Sequence, residues 1–305
     1  MENGRGNIKT DLTKILSTVV SSLKIEEPLK NHSTFRIGGP ARYFAELHGK
    51  KELAGVFSLC RRENVPFMVM GGGSNILFSD KGFPGVIAVL RGEFTEFAFK
   101  GTRLEAGAGA AAALLVNKSL NKSLSGLELL AGVPGTLGGA LCGNAGTKDS
   151  WIGSLVESVE ILAESGTFVT LAGKDLSFGY RTSNLSGKII SRASLNLIKA
   201  EKNDILKAID DLKRRRETSQ PEGVFCAGSV FKNPSGESAA RLIDAAGLKG
   251  LVFGGAAVSE KHANFIVNKG SATAHDVKTL IGIIHAKVKE RFGVALDLEI
   301  KIIGE

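Results

Sequence analysis

The sequence predicts an α+β chain of two domains, and three observations carry the prediction. A length of 305 residues exceeds what one ordinary core encloses. Apolar residues recur at helical three–four spacing towards both ends of the chain, whereas from Val156 to Leu197 they alternate with the period of antiparallel strands. The 38 glycines are clustered, GGGSN (71–75) and AGVPGTLGGA (131–140) foremost, so backbone is expected to approach something closely there.

Each element follows from its own pattern. Leu12, Ile15, Leu16, Val19, Val20 and Leu23 share a helix face, with Asp11 as its cap. STFRIGGPARYF (33–44) alternates and then turns on two glycines. A helix over 50–63 leads into the short apolar strand PFMVM (66–70), which stops at GGGSN, and GVIAVL (85–90) is again strand-like. Residues 103–120 read as strand, tight turn and helix, and 130–146 as a glycine-rich loop entering a short helix. VESVEILAES, TFVTL and KIISRASLNL supply the antiparallel strands. A charged helix over 205–217 precedes Pro221, where a boundary falls. Beyond it come CAGSVFKNP (226–234), a helix over 236–246, strands within AAVSEKHANFIVN (256–268), a helix over 274–291 and a closing strand over 295–304. No internal repeat, low-complexity tail or long linker is visible.

A formal net charge of +8 favours anionic partners. Aromatic residues make up 6% and do not interleave with basic ones, so nucleic-acid binding is not expected. Cys60, Cys142 and Cys226 lie far apart without a CxxC pair and read as reduced thiols. His32, His48, His262, His275 and His285 show no ligand spacing, and no metal is expected. The polar N-terminus lacks an apolar signal core and no run approaches membrane-spanning length, so a cytoplasmic address without membrane insertion is predicted.

One motif misleads. Gly107, Gly109 and Ala112 fit a GxGxxA dinucleotide fingerprint with Glu128 beyond. Glu128, however, sits in SGLELLAG, a helix-to-loop context, where the fingerprint needs the end of a second parallel strand. A tight strand-to-helix turn explains those glycines equally well. GGGSN is more telling, because three glycines free backbone N–H groups for a pyrophosphate while Ser74 and Asn75 add polar groups. A merely flexible turn is the other reading of that run. In the second loop Pro134 precedes Gly135, Gly138 and Gly139 at a helix start. Two such loops suit a long dinucleotide, and no GK[ST] follows either, so the signature of ATP hydrolysis is absent.

STFRIGGPA (33–41), GGGSN (71–75), AGVPGTLGGALCGNAG (131–146), FGYRTSNL (178–185), AGSVFKNP (227–234), RLIDAAGLKG (241–250), AAVSEKHANFIVN (256–268) and DLEIKIIG (297–304) occur in this order. Together they resemble the UDP-N-acetylenolpyruvoylglucosamine reductase family, also called UDP-N-acetylmuramate dehydrogenase, from about residue 30 onward. The short interval between Leu197 and Ser229 is similar to the family type without an inserted tyrosine-bearing loop. The resemblance implies an FAD-binding domain of the vanillyl-alcohol-oxidase (PCMH) type over 31–205, in lobes of about 31–90 and 91–205. A helix over 1–30 would precede it, and a smaller α/β substrate domain over 206–305 would return its last strand towards the flavin. It further implies that NADPH reduces FAD and that hydride passes to C3 of UDP-N-acetylglucosamine enolpyruvate, in peptidoglycan precursor synthesis, by a protein expected to be a monomer. The cofactor supplies the hydride chemistry and the protein supplies position and charge.

By the same resemblance Ser229 donates the proton to C2, a task that needs no activating base because the serine acts as an acid. Arg181 faces the substrate carboxylate, and Glu299 assists it. Asp297 shares a strand face with Glu299 by period-two spacing, and Glu299 is preferred as the second acid of the family's LExE pattern. Taken singly, Ser229 reads as a turn residue, Arg181 as a surface cation and Glu299 as an exposed strand acid. Implied cofactor contacts are Ile37 and Gly38; Gly71, Gly72, Gly73, Ser74 and Asn75; Ala131, Pro134, Gly135, Thr136, Gly138 and Gly139; and Asn144 and Ile189. Implied substrate contacts are Lys232, Asn233 and His262. Arg214, Arg215 and Arg216 meet the diphosphate or form a solvated helix end. Thr147-Lys148 departs from the family pattern, and Cys226 places a thiol near the site. The rival readings are another FAD oxidase or dehydrogenase of the same cofactor fold, acting on a hydroxy acid or sugar, and a non-catalytic nucleotide-binding module.

Overall fold

The structure, a computed structural model, describes residues 4–147 and 149–304; Lys148 of the Thr147-Lys148 pair lies outside them. It is α+β throughout, as predicted. Two compact units are built from discontinuous pieces, where the sequence reading drew contiguous domains. The first unit gathers 4–27, 41–71 and 84–205, and the second gathers 28–40, 72–83 and 206–304.

In the first unit the opening helix, Gly4–Val19, begins upstream of Asp11, which is therefore not its cap. Leu12 and Leu16 turn inward from it, and Thr13 Oγ1 lies 2.8 Å from the Tyr43 hydroxyl. The apolar spacing runs on to Leu23, but that residue belongs to strand Ser22–Pro28. Tertiary pairing outweighs the local helical period here. One sheet has the order Ser22–Pro28, Pro40–Leu47, Phe83–Leu90, Phe67–Met70, the last two pairing in parallel. STFRIGG is loop rather than strand, because regular pairing starts only at Pro40. Helix Lys50–Arg62 connects two of these strands, with Leu53, Val56, Leu59 and Cys60 buried. Burial pushes the Cys60 thiol up to about 12, so it stays protonated at neutral pH.

The second sheet of this unit is the antiparallel region the alternation predicted. Its order is Phe168–Ala172, Val156–Leu162, Ile189–Asn196, Arg103–Gly107, Phe97–Lys100. The misleading glycines lie at its margin. A Cβ on Gly107 would fall 2.1 Å from the Phe94 carbonyl oxygen, and one on Gly109 would fall 2.6 Å from that of Leu90. Close backbone packing accounts for both, and Arg103–Gly107 pairs only antiparallel, to Phe97–Lys100 and Ile189–Asn196.

The second unit closes around one apolar cluster. Phe35, Ile37 and Leu77 from the early segments join Val230, Phe231, Leu242, Ile266, Val277, Leu280, Ile284 and Ile300. Helix Ala274–Phe292 supplies one wall and Ala239–Ala245 another. The long helix is capped twice. Thr273 and Asp276 form a reciprocal box, and the Asp80 carboxylate accepts the Ala274 and His275 N–H groups at 2.7 and 3.0 Å. A carboxylate at that end also opposes the helix dipole. The expected closing strand is shortened to Lys301–Ile303, which pairs in parallel with Ile76–Phe78, directly after the glycine run. Residues 297–299 instead bond the 230–232 segment.

Candidate functional site

The sequence-predicted residues divide between the two units. In the first, strand Phe67–Met70 delivers Gly71 against Thr136: a Cβ on Gly71 would lie 2.6 Å from Thr136 Oγ1. The first glycine of one run therefore meets the second loop within this unit, and only hydrogen fits between them. Thr136 caps helix Leu137–Cys142, its hydroxyl accepting from Gly139 N at 3.4 Å. Gly138 packs on Ala108, while Gly139 and Pro134 are exposed and Ala131 is buried. Gly135 has φ +122°, a conformation open to glycine. The missing side chains leave an open backbone surface that a phosphate-bearing dinucleotide fits. Gly71→Ala should fold yet weaken flavin binding about tenfold or more, an energy of about 1.4 kcal/mol. Flavin-fluorescence titration of the apoprotein measures it, and native affinity would remove this loop contact.

Arg181 occupies the turn of a hairpin, Phe178–Gly179 paired to Thr182–Ser183. Its φ is +53°, left-handed backbone in which a non-glycine residue is strained by roughly 1–2 kcal/mol. Its Nη1 donates to the Gly146 carbonyl at 3.3 Å, and the guanidinium lies over the Tyr180 ring at 5.7 Å. Asn144, expected against a cofactor, is 3% exposed. Its amide donates to Gly179 O at 2.8 Å and accepts from Gly153 N at 3.0 Å. Ile189 opens strand Ile189–Asn196 opposite Leu162.

In the second unit Ser229 sits on an extended segment held from both sides. It bridges to Phe265 on one side, and its neighbour Phe231 bridges to Leu298 on the other. Val230 N donates to Asn264 O, Val230 O accepts from Glu299 N, and Lys232 N donates to Asp297 O, each at 2.8 Å. The Asn264 side chain, 4% exposed, accepts from Phe231 N at 2.9 Å and donates to Phe231 O at 2.8 Å. Ser229 is half-buried, and its hydroxyl makes no hydrogen bond among the described residues. Glu299 is half-buried where Asp297 is exposed, and the Asn75 amide donates to Glu299 O at 3.1 Å. The end of the glycine run is thus tied to the extended segment that carries the acid, just before strand Lys301–Ile303.

Other predicted residues take local jobs. The Gly73 carbonyl accepts from Thr34 N at 3.1 Å, and a Cβ on Gly73 would fall 2.2 Å from His32 O. The Thr34 hydroxyl donates to Cys226 O at 2.7 Å, tying this loop to the serine segment. Gly38 packs on Phe78 and Leu29; the Ile37 side chain is in the core, and its carbonyl accepts from Ser33 Oγ at 3.3 Å. Ser74 is half-buried and Gly72 exposed. The Asn233 carbonyl oxygen accepts from Ala239 N at 3.0 Å, at the start of the next helix, and Lys232 is half-buried. Arg214–Arg216 end helix Lys202–Ser219. Burial depresses the Cys226 thiol's acidity, only partly offset by a backbone hydrogen bond from Gly228.

His262 faces Phe265 edge-on at 4.8 Å, and its Nδ1 accepts from Asn264 N at 3.3 Å. Burial, partly opposed by a backbone hydrogen bond and reinforced by the Lys249 charge, lowers its pKa. The unfolded chain therefore binds that proton more readily than the folded one. Stability is full above the ordinary histidine value and is lost as pH falls from about 6.5 towards the lowered folded value. A His262→Gln variant should flatten that part of the Tm-against-pH curve. An unchanged slope between pH 7 and 5 would remove His262 as its source. Asn264 and Asn268 went unread in the sequence, although a paired asparagine spacing inside the apolar run HANFIVN was the available signal.

Comparison with known proteins adds the context. Residues 41–172 match the family described as "FAD binding domain", and 220–303 match "UDP-N-acetylenolpyruvoylglucosamine reductase, C-terminal domain". The chain is 43% identical over 285 residues to the UDP-N-acetylenolpyruvoylglucosamine reductase of Caldanaerobacter subterraneus subsp. tengcongensis, covering 93% of this chain and 94% of the relative. It is 40% identical to that of Clostridioides difficile, covering 98% of each. A crystal structure of the Thermus caldophilus enzyme superposes with a TM-score of 0.80 at 38% identity, over 93% of this chain and 98% of that one.

Proposed function

This chain belongs to the UDP-N-acetylenolpyruvoylglucosamine reductase family, and from that premise we propose the roles of its residues in reducing UDP-N-acetylglucosamine enolpyruvate to UDP-N-acetylmuramate. The chain is an FAD-dependent oxidoreductase of peptidoglycan precursor synthesis, with an FAD-binding domain followed by the reductase C-terminal domain. FAD, reduced by NADPH, supplies the hydride when bound. Gly71, Thr136, Gly138 and Gly139 would help to hold it.

Ser229 gives its hydroxyl proton to C2, where charge is left after C3 is reduced. Arg181 presents a guanidinium fork to the neighbouring carboxylate and stabilises charge that grows during reduction. Glu299 polarises the same carboxylate and feeds the proton path, while Lys232 and His262 contact the nucleotide. The observation that supports this reading most is the Ser229 hydroxyl, held on a segment bonded along both edges yet engaged with nothing else. Acting as an acid, it needs no base beside it.

Anaerobic stopped-flow reoxidation of the reduced enzyme by the enolpyruvyl nucleotide tests the reading. Rapid return of flavin absorbance is expected, and a flavin that stays reduced would sink it. The rival FAD oxidase acting on a hydroxy acid or sugar is not favoured, since the relatives compared share one name. No helix among the described residues is long and apolar enough to cross a membrane. A cytoplasmic monomer is proposed, with Cys60, Cys142 and Cys226 unbridged in support.

A further inference from the structure

We propose that Asn144 is a positioning residue for Arg181, acting through the hairpin turn that presents the guanidinium; this rests on the role given to Arg181 above. The turn needs outside support, because Arg181 holds φ +53° where an arginine gains nothing from the conformation. Two side chains hold the base of the hairpin. Ser183 Oγ reaches the Leu141 and Cys142 carbonyls at 3.0 and 2.9 Å, and Asn184 spans Ser177 N and Asp175 O at 3.1 and 2.8 Å. Neither touches the turn. Asn144 does: its amide N–H meets the carbonyl of Gly179, the residue before the Tyr180-Arg181 pair. Its oxygen is meanwhile fixed by Gly153 N, so the bond to the turn is braced from behind. Two residues further on, Gly146 O takes the Arg181 Nη1 proton, so one short loop orients both the turn and its charged head.

The residue type is demanded by the geometry. Asn144 has φ +45°, left-handed backbone that asparagine tolerates better than most side chains. The site needs a donor and an acceptor together, which aspartate and alanine lack. At 3% exposure an unmatched amide would be costly, so its partners are not incidental.

A double-mutant cycle decides the matter. Asn144→Gly keeps the backbone conformation and deletes only the amide. Flavin content and the rate of flavin reduction by NADPH are followed in Asn144→Gly itself. It should slow reoxidation by the enolpyruvyl nucleotide about 10- to 100-fold, since misplacement of the order of 1 Å costs that much. Calorimetric affinity for the carboxylate-bearing product should fall in parallel. In an Arg181→Ala background the same change should cost less than about threefold in rate or affinity, because there is no guanidinium left to misplace. Equal costs in both backgrounds would overturn the inference, and loss of flavin in Asn144→Gly would make Asn144 a cofactor group instead. Near-native turnover of Arg181→Ala alone would overturn the reading of Arg181 and this inference with it. If Asn144→Gly does not fold, Asn144→Asp, of the same shape but without the donor, is read in the same cycle with the same expected pattern.

Discussion

Ser229→Ala should purify yellow, reduce normally with NADPH and then fail to turn over, with kcat lower by a factor on the order of 1,000. The structure separates this loss from any loss of stability. The Ser229 segment is held through Val230, Phe231 and Lys232 and not through the serine side chain. Removing a hydroxyl that makes no hydrogen bond among the described residues leaves no partner unsatisfied. Tm should therefore stay within a few degrees of the wild-type value, on the scale of a change below about 1 kcal/mol. The measurement is a pair of anaerobic stopped-flow traces, flavin bleaching with NADPH and recovery with the enolpyruvyl nucleotide. Only the second should slow. Near-native recovery would take proton donation away from Ser229, and slowing of both phases would point to a cofactor role.

The second large effect is at Arg181, where activity and stability should move apart. Arg181→Gly relieves a left-handed φ and should hold or raise stability by about 1 kcal/mol. Turnover should nevertheless fall about 100- to 1,000-fold, the scale seen when one preorganised donor to a developing oxyanion is removed. Arg181→Lys keeps the charge and should recover little, since an ammonium cannot offer two parallel donors to a carboxylate. Thermal denaturation and steady-state kinetics on the same preparations check both halves. A Gly variant that loses stability, or a Lys variant with native kcat, would contradict the account. Strain retained at a residue proposed to face the substrate is what a functional constraint produces.

Much of the candidate site was legible because its chemistry is local. Clustered glycines announce backbone approach whatever the tertiary fold, and Gly71 does lie against Thr136 of the second loop. Helices at 50–62 and 274–292 follow from periodic burial that a sequence displays directly. What escaped was non-local. Nothing near Ile76–Phe78 announces that its partner is Lys301–Ile303. The association of Phe35, Ile37 and Leu77 with a core built mostly beyond Leu206 was likewise hidden. Leu23 was assigned to a helix because its spacing fits one, and only sheet pairing moves it into a strand. Buried amides were the other gap: Asn264 and Asn268 look like loop residues until their partners are known. Polar side chains inside apolar runs carry a structural message that hydrophobic periodicity does not record.

The pairing of Ile76–Phe78 with Lys301–Ile303 also sets a timetable for synthesis. At ribosomal rates of roughly 5–20 residues per second, the later strand leaves the ribosome on the order of tens of seconds after the earlier one. Throughout that interval Phe35, Ile37 and Leu77 wait without their core, while the intervening 84–205 segment emerges and can settle. A nascent chain that ends before residue 206 would carry Phe35, Ile37 and Leu77 without the later residues they pack against.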